Sequence, residues 1–507
     1  MNILSNNIGI VSLLGSSVLS VSPLLAQKQS QPNVLMVVVD DWGANDLSFS
    51  GSKFYETPHI DQLTKEATTF NQAYVAYPRS VPSRFSLWTG MYAARPQAPK
   101  MGVTDDREVN RETFCMAEGF KSADYQTMFI GKWHLNSKDC GPEDKGFDIN
   151  IGGGKAGAPA TYFAPFNKPG GGKEKPIEGM DDANEGEYLT DYMTRKMVDY
   201  IDGKHQKPFF AVCSYYAVHT PLEAKPEIIK KYRNKRAKMN LQDDPMMNEE
   251  AGVRKTQQDD PVYAAMIESV DTGVGEMIAA LKRNKLYDNT VIVIISDHGG
   301  LSNRGQNKRT LATTNSPLKA GKGHLYEGGI RVPLLVRLPA QKKGVKSNTP
   351  VMSIDILPTL SEICNFSVQD NAIIDGKSFS DELKGKQQKE LVNRALFWHK
   401  ATERPNSTGD YVSSSVRQGD YKLIDFYNQN RIELYNLKSD PEEKVNLAIS
   451  DPDKVQEMLV ALKQWKSEVK AYDGNPGTVK DKKSGKQQNK QGNKGNKNKI
   501  KRQELDD

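Results

Sequence analysis

Ser80 and Arg84 stand four residues apart in the run Ser80-Val81-Pro82-Ser83-Arg84-Phe85-Ser86-Leu87-Trp88-Thr89-Gly90. Pro82 has the preset φ of a first helical position, which puts Ser80 just ahead of a helix, where unpaired N–H groups and the positive end of the dipole favour an anion. Arg84 then falls in the first turn, near Ser80. A potential nucleophile beside a permanent cation at a helix start suits chemistry on an anionic group. Alone, S-x-P-S-R is equally compatible with an ordinary Ser/Pro cap. The rest of the chain decides between them.

Other polar groups follow apolar runs. Asp40 and Asp41 come directly after Val34–Val39, and Asp297 and His298 just after Val291–Ile295; Lys132 and His134 trail Met128–Ile130, and His219 trails Phe209–Cys213. Such runs are the pattern of strands buried on both faces of a parallel sheet, and open α/β sheets bind ligands beyond the carboxyl ends of their strands. Tyr188–Ile201 and Val262–Leu281 read as the covering helices. A lone Asp-Asp is usually a turn or cap, and a lone His a satisfied surface or core residue; polar groups at four equivalent strand ends are harder to dismiss. Three carboxylates with a His suit a divalent cation, Ca²⁺ or Mg²⁺ by the oxygen ligands, with Mn²⁺ or Zn²⁺ also compatible with the His.

The Ser80–Gly90 run resembles the signature of the type I sulfatases of the alkaline-phosphatase-like superfamily, [Cys/Ser]-x-Pro-Ser-Arg-x4-Thr-Gly, whose first residue is oxidised to formylglycine. The likeness extends from about Pro32 to Leu447 through Thr57–Asp61, Gly131–Leu135, His219–Pro221, Gly321–Gly323, Tyr326–Pro333, Leu357–Leu360, and Glu433–Leu437 with Asp440-Pro441. His59 stands where Asn is usual in the family, and Trp88 and Met91 flank Thr-Gly where Leu and Arg are common.

The resemblance implies a formylglycine made from Ser80 and one Ca²⁺ held by Asp40, Asp41, Asp297 and His298. Arg84, Lys132, His134, His219 and Lys322 would surround the sulfate, with His134 as base and His219, aided by Lys322, as acid for the leaving oxygen. A covalent sulfo-enzyme intermediate would then collapse by C–O cleavage, a second step that a plain serine sulfate lacks. Ser rather than Cys at position 80 implies a Ser-type radical S-adenosylmethionine maturase as partner and a bacterial setting. The implied substrate is a sulfated sugar or glycan. The nearest alternative is a phosphomonoesterase or phosphodiesterase of the same superfamily. It needs a denser metal site, whereas the seven His include no H-x-x-x-H or D-x-x-x-H pair. A third reading, an exported sulfate-glycan-binding protein without activity, requires Ser80 to stay unmodified.

The 507 residues carry a net charge of +6, all of it within residues 478–507, which hold ten Lys/Arg against four Asp/Glu. The remainder is neutral overall, which argues against nucleic acid as a partner and marks the Lys/Asn/Gly/Gln end as a solvated low-complexity tail. Ile8–Ala26 is apolar and resembles a secretory signal peptide cleaved after Ala26, too short and Ser-rich for a stable membrane span, which predicts a periplasmic or secreted protein. Cys115, Cys140, Cys213 and Cys364 are widely spaced and outline neither a disulfide framework nor a zinc site.

The expected fold is α/β: a large, mostly parallel or mixed central sheet sandwiched by helices, with a smaller C-terminal α+β domain. The expected division is 1–26 signal peptide, 27–390 catalytic domain, 391–472 C-terminal domain with strands in Tyr411–Phe426 and Arg431–Leu437 and a helix over Asp453–Tyr472, and 473–507 tail. Gly152–Gly154, Ala158–Phe163 and His399–Arg404 are candidate pocket loops.

Overall fold

The two apolar runs that precede the acidic pairs lie side by side. Asn33–Val39 pairs in parallel with Thr290–Ser296, residue for residue from Asn33↔Thr290 to Val39↔Ser296. Every residue of both strands is buried, as a strand covered on both faces requires. They form the centre of an eight-stranded sheet whose spatial order is Val345–Ser347, Thr68–Phe70, Leu334–Arg337, Thr290–Ser296, Asn33–Val39, Phe209–Ser214, Gln126–Gly131, Ile149–Ile151. Leu334–Arg337 runs antiparallel to both its neighbours and the other pairings are parallel, so the sheet is mixed.

Alternation along the strands feeds two cores. Val34, Met36 and Val38 share one with Phe85, Trp88, Phe120 and Leu360; Leu35, Val37 and Val39 share the other with Leu189, Met193, Ile267 and Val274. The helices that cover the second face are Leu189–Asp202 and Pro261–Arg283, within two residues of expectation. Asp260 caps the latter, accepting from the N–H groups of Val262 and Tyr263 ahead of a Pro at the first turn.

A four-stranded antiparallel sheet follows, in the order Ala395–Lys400, Ser413–Gln418, Tyr421–Phe426, Arg431–Asn436, with the helix Pro452–Glu468 against it. The strands expected within Tyr411–Phe426 form a hairpin. It turns at Gly419, whose φ of +57° lies in the left-handed region that glycine adopts without a Cβ penalty. Ala395–Lys400 was not foreseen as a strand, and it corrects the pocket-loop expectation: His399 and Lys400 are buried within it.

The computed structural model describes residues 31–98, 109–135, 140–166, 177–243, 245–249 and 252–471. The expected signal peptide, 1–26, and the tail, 473–507, lie outside them. The described residues from Pro32 to Ala471 belong to one compact unit. No helix among the described residues is long and apolar enough to cross a membrane. All four cysteines are buried, and none is in a disulfide.

Candidate active site

The parallel register that pairs Val39 with Ser296 brings the two acidic strand ends together. The Asp297 N–H donates to the Val39 carbonyl (3.1 Å), and the Asp41 N–H donates to Asp297 Oδ1 (3.1 Å). Asp40, Asp41, Asp297 and His298, all buried, each present one ligand atom within 4.8 Å of the others. Residues 256 apart in sequence thus share one spot, as expected. Asp41 reaches it with φ at 59°, a left-handed conformation that is uncommon outside glycine and that clusters at functional sites.

The group has the chemistry of a cation site. Asp40 Oδ1 accepts no hydrogen bond. Burial, then the neighbouring Asp297 charge, push the Asp40 carboxyl well above the usual carboxylate range, outweighing Lys132. Burial acts the same way on Asp41 and Asp297. There the facing groups prevail, chiefly Lys322 for Asp41 and the His298 ring with Arg84 for Asp297, and both acids are held well below their ordinary values. Three carboxylates and an imidazole thus face one dry spot, with one carboxylate oxygen left without a hydrogen bond, and a divalent cation fits there. The His298 Nδ1–H donates to the Gly299 carbonyl (3.1 Å), which assigns the lone pair to Nε2 on the side of the carboxylates.

Ser80 sits on the same cluster. Its Oγ lies 3.0 Å from His298 Nε2. The helix spans Ser80–Thr89, with Arg79 as its cap. This corrects the expectation that Pro82 opens it: Pro82 is the third residue, still inside the first turn where a missing N–H costs nothing. Gly90 ends the helix in the left-handed conformation, its N–H on the Ser86 carbonyl.

Arg84 is fully buried. Its Nε donates to Asp297 Oδ2 (3.0 Å), and its Nη1 to the Lys132 carbonyl (2.7 Å) and the Ser214 hydroxyl (2.8 Å). It braces the carboxylates and the turn after Gln126–Gly131. Lys132 Nζ donates to Asp40 Oδ2 (2.6 Å), and Lys322 Nζ donates to Asp41 Oδ1 (2.9 Å). His219 Nε2 lies 3.9 Å from Asp41 Oδ2, while its Nδ1–H donates to the Thr220 carbonyl (2.7 Å). Burial, then Lys322, hold the His219 imidazole well below its ordinary pKa, so it is neutral near pH 7. His134, two residues past Lys132, is buried with φ at 58°, its N–H on the Gly154 carbonyl (3.0 Å).

Two of the expected pocket loops border these groups. Gly154 supports His134, and Tyr162 donates its hydroxyl between the carbonyls of Tyr216 (2.7 Å) and His219 (2.8 Å). The family departures are packing residues. Trp88 stacks on Trp133, and the His59 ring fills the space that a Cβ on Gly275 would enter. Sequence reasoning missed Ser83, which donates to the Asp297 carbonyl (2.5 Å), and Ser214, which joins Arg84 to the Lys132 carbonyl. A hydroxyl at the carboxyl end of an otherwise apolar strand was the available signal for Ser214.

The chain that carries this acidic cluster, helix-borne hydroxyl and buried lysines is similar to known proteins along most of its length. Residues 32–366 match the family model described as Sulfatase, and residues 320–471 match the one described as N-sulphoglucosamine sulphohydrolase, C-terminal. A sulfatase of Formosa agariphila is 30% identical over 88% of this chain and 90% of its own. An N-acetylgalactosamine-6-O-sulfatase of Bacteroides thetaiotaomicron is 25% identical over 87% and 94%. Among solved structures, that of Ps i-CgsB in complex with k-i-k-neocarrahexaose superposes with a TM-score of 0.72 at 28% identity, over 88% of this chain and 94% of that one. Matched along most of its length by sequence and by fold, the chain belongs to the sulfatase family and is a sulfuric ester hydrolase.

Proposed function

We propose that this protein is an exported bacterial enzyme that removes sulfate from a sulfated sugar or glycan, using a formylglycine made from Ser80 and one Ca²⁺ held by Asp40, Asp41, Asp297 and His298. The observation that carries the reading is the meeting of Ser80 Oγ with that ligand group at His298 Nε2. Hydrated formylglycine supplies one hydroxyl to attack sulfur and a second whose deprotonation releases the bound sulfate by C–O cleavage. The cation supplies charge against the sulfate oxygens and lowers the pKa of the attacking hydroxyl.

The chain's own residues do the rest. Lys132 and Lys322 pair with Asp40 and Asp41, and with a cation on those carboxylates they would be free to face the sulfate oxygens. Arg84 keeps Asp297 and the Lys132 turn in place. His134 takes the proton from the second hydroxyl. His219, assisted by Lys322, gives a proton to the leaving sugar oxygen, a contribution worth ~10²–10⁴-fold. The glycan substrate is supported by the relative named N-acetylgalactosamine-6-O-sulfatase, by the similar structure of Ps i-CgsB in complex with k-i-k-neocarrahexaose, and by the Tyr162 segment bordering His219. Family membership and one compact ligand group support a sulfate ester over a phosphate ester.

The test is covalent. Protein made with a Ser-type radical S-adenosylmethionine maturase is expected to show residue 80 lighter by two hydrogens and to release sulfate from a panel of sulfated mono- and oligosaccharides. Protein made without the maturase is expected to fold and remain nearly inactive. Full activity with an unmodified Ser80 would overturn the mechanism.

A further inference from the structure

The residue ahead of Ser80 is tied to the far end of the chain. Arg79, the cap of the Ser80–Thr89 helix, is buried, and its Nη2 donates to Asp410 Oδ1 (2.5 Å) and to Thr408 Oγ1 (3.2 Å). Asp410 is buried too, and its other oxygen accepts from Lys400 Nζ (2.6 Å), which also donates to the carbonyls of Thr402 (2.9 Å) and Tyr411 (2.5 Å). The carboxylate therefore holds two cations supplied by different parts of the fold.

The same segment touches the other wall of the site. Gly323, next to Lys322, donates its N–H to the carbonyl of Pro78 (2.9 Å). Its φ is +93°, and a Cβ there would stand 2.7 Å from Asp410 Oδ1 and 2.8 Å from Thr408 Oγ1. Only glycine lets the Asp410 carboxyl come this close to the Lys322 strand of chain. The Thr408 carbonyl accepts from Asn303 Nδ2 (2.5 Å) and from His324 Nε2 (2.9 Å), and Asn303 Nδ2 also faces the Lys322 carbonyl (3.5 Å). Residues 400–411 thus bear at once on the approach to Ser80 and on the approach to Lys322.

From this juxtaposition we infer that Asp410 is a positioning residue of the reaction: through Arg79 and the Gly323 contact it sets the nucleophile at position 80 against Lys322. The inference rests on the sulfatase mechanism proposed above. Asp410 lies outside the ligand group of Asp40, Asp41, Asp297 and His298. Its effect is on geometry, and near-attack geometry is steep: a displacement of about 1 Å costs about 10²-fold in rate. Because Asp410 lies 331 residues from Arg79, replacing it leaves the segment read by a maturase unchanged, so positioning can be separated from maturation.

Asp410→Asn alone would leave Arg79 and Lys400 facing each other with no anion between them, and the test therefore pairs it with Lys400→Met, which keeps the local charge balance. Wild type, Lys400→Met and Asp410→Asn/Lys400→Met are compared for formylglycine content by mass spectrometry, for Tm, and for kcat and KM per formylglycine on a nitrophenyl sulfate and a sugar sulfate. Lys400→Met is expected within about threefold of wild type. The double variant is expected to match it in formylglycine and to melt within a few degrees of it, with kcat about 10–100-fold lower on both substrates and KM within about threefold. A double variant that folds and turns over like Lys400→Met would overturn the inference. So would a double variant that fails to fold, since Asp410 would then serve stability alone. Wild-type protein that carries formylglycine yet releases no sulfate would instead sink the mechanism on which the inference stands.

Discussion

A sugar alkoxide leaves badly without a proton, and His219 is the group proposed above to give one. In the free site its imidazole is neutral, held so by burial and by Lys322, and its one proton sits on Nδ1 against the Thr220 carbonyl. The reactive form is therefore the imidazolium. A bound sulfate ester favours that form by adding negative charge near Nε2; the cation opposes it. Two outcomes follow. His219→Ala is expected to cost ~10²-fold or more on a sugar sulfate and far less on a nitrophenyl sulfate, whose phenolate leaves unaided, while His134→Ala slows both alike. In the wild type, kcat/KM on the sugar sulfate is expected to fall as pH rises through the lowered His219 pKa, a limb with its midpoint below 6.5 that is missing with the nitrophenyl ester. Sulfate release measured across pH 4–8 checks both. If both variants respond equally to the leaving group, the roles are wrongly assigned.

At the level of elements, strand ends do the positioning, and each is held by its neighbour's backbone. Gln126–Gly131 ends at Gly131 with φ at +101°, where a Cβ would lie 2.1 Å from the Ser214 carbonyl oxygen and 2.2 Å from Met193 Cε. That same carbonyl accepts the Lys132 N–H (2.8 Å) and so fixes where the lysine leaves the sheet. Gly131→Ala adds about 1–2 kcal/mol of left-handed strain and a clash that only backbone movement relieves. The expected result is a kcat at least ~10-fold lower, with Tm reduced by several degrees. Unchanged kcat and Tm, read by sulfate release and thermal unfolding, would show that the strand end is not fixed in this way.

The whole molecule puts its densest charge where its sheet is best covered. Asp40, Asp41 and Asp297 are buried just past the carboxyl ends of the two central strands, and the same burial that strengthens every interaction there keeps water from screening their mutual repulsion. A bound cation should therefore stabilise the fold as well as the reaction. At a free Ca²⁺ concentration about 100-fold above Kd, linkage adds roughly 2.7 kcal/mol to the folded state. Chelation is expected to lower Tm by a few degrees and abolish activity, and added Ca²⁺ to restore both. Asp297→Asn is expected to remove the Ca²⁺ dependence of Tm; a variant that keeps it would place the ion elsewhere.

Some of this was legible in the chain and some was not, for one reason. Apolar runs, turn residues and the Ser80–Arg84 spacing are local, and local patterns set which segments become strands and helices and which polar groups end up just past them. The two buried central strands, the long helices of the second face and the acidic pairs at the strand ends could all be read in that way. Their convergence could be argued too, because a parallel sheet aligns its carboxyl ends. What sequence could not supply is the partner of each buried charge. Arg84 reads as a sulfate-facing cation, and only packing turned it onto Asp297, the Lys132 carbonyl and Ser214. His399 reads as a loop residue, and pairing with Ser413–Gln418 made it part of a strand. Asp410 carries no motif at all. Its link to Arg79 exists because the C-terminal segment folds back across the approach to Ser80, and contacts between residues so far apart are chosen by the whole core, not by their neighbours along the chain.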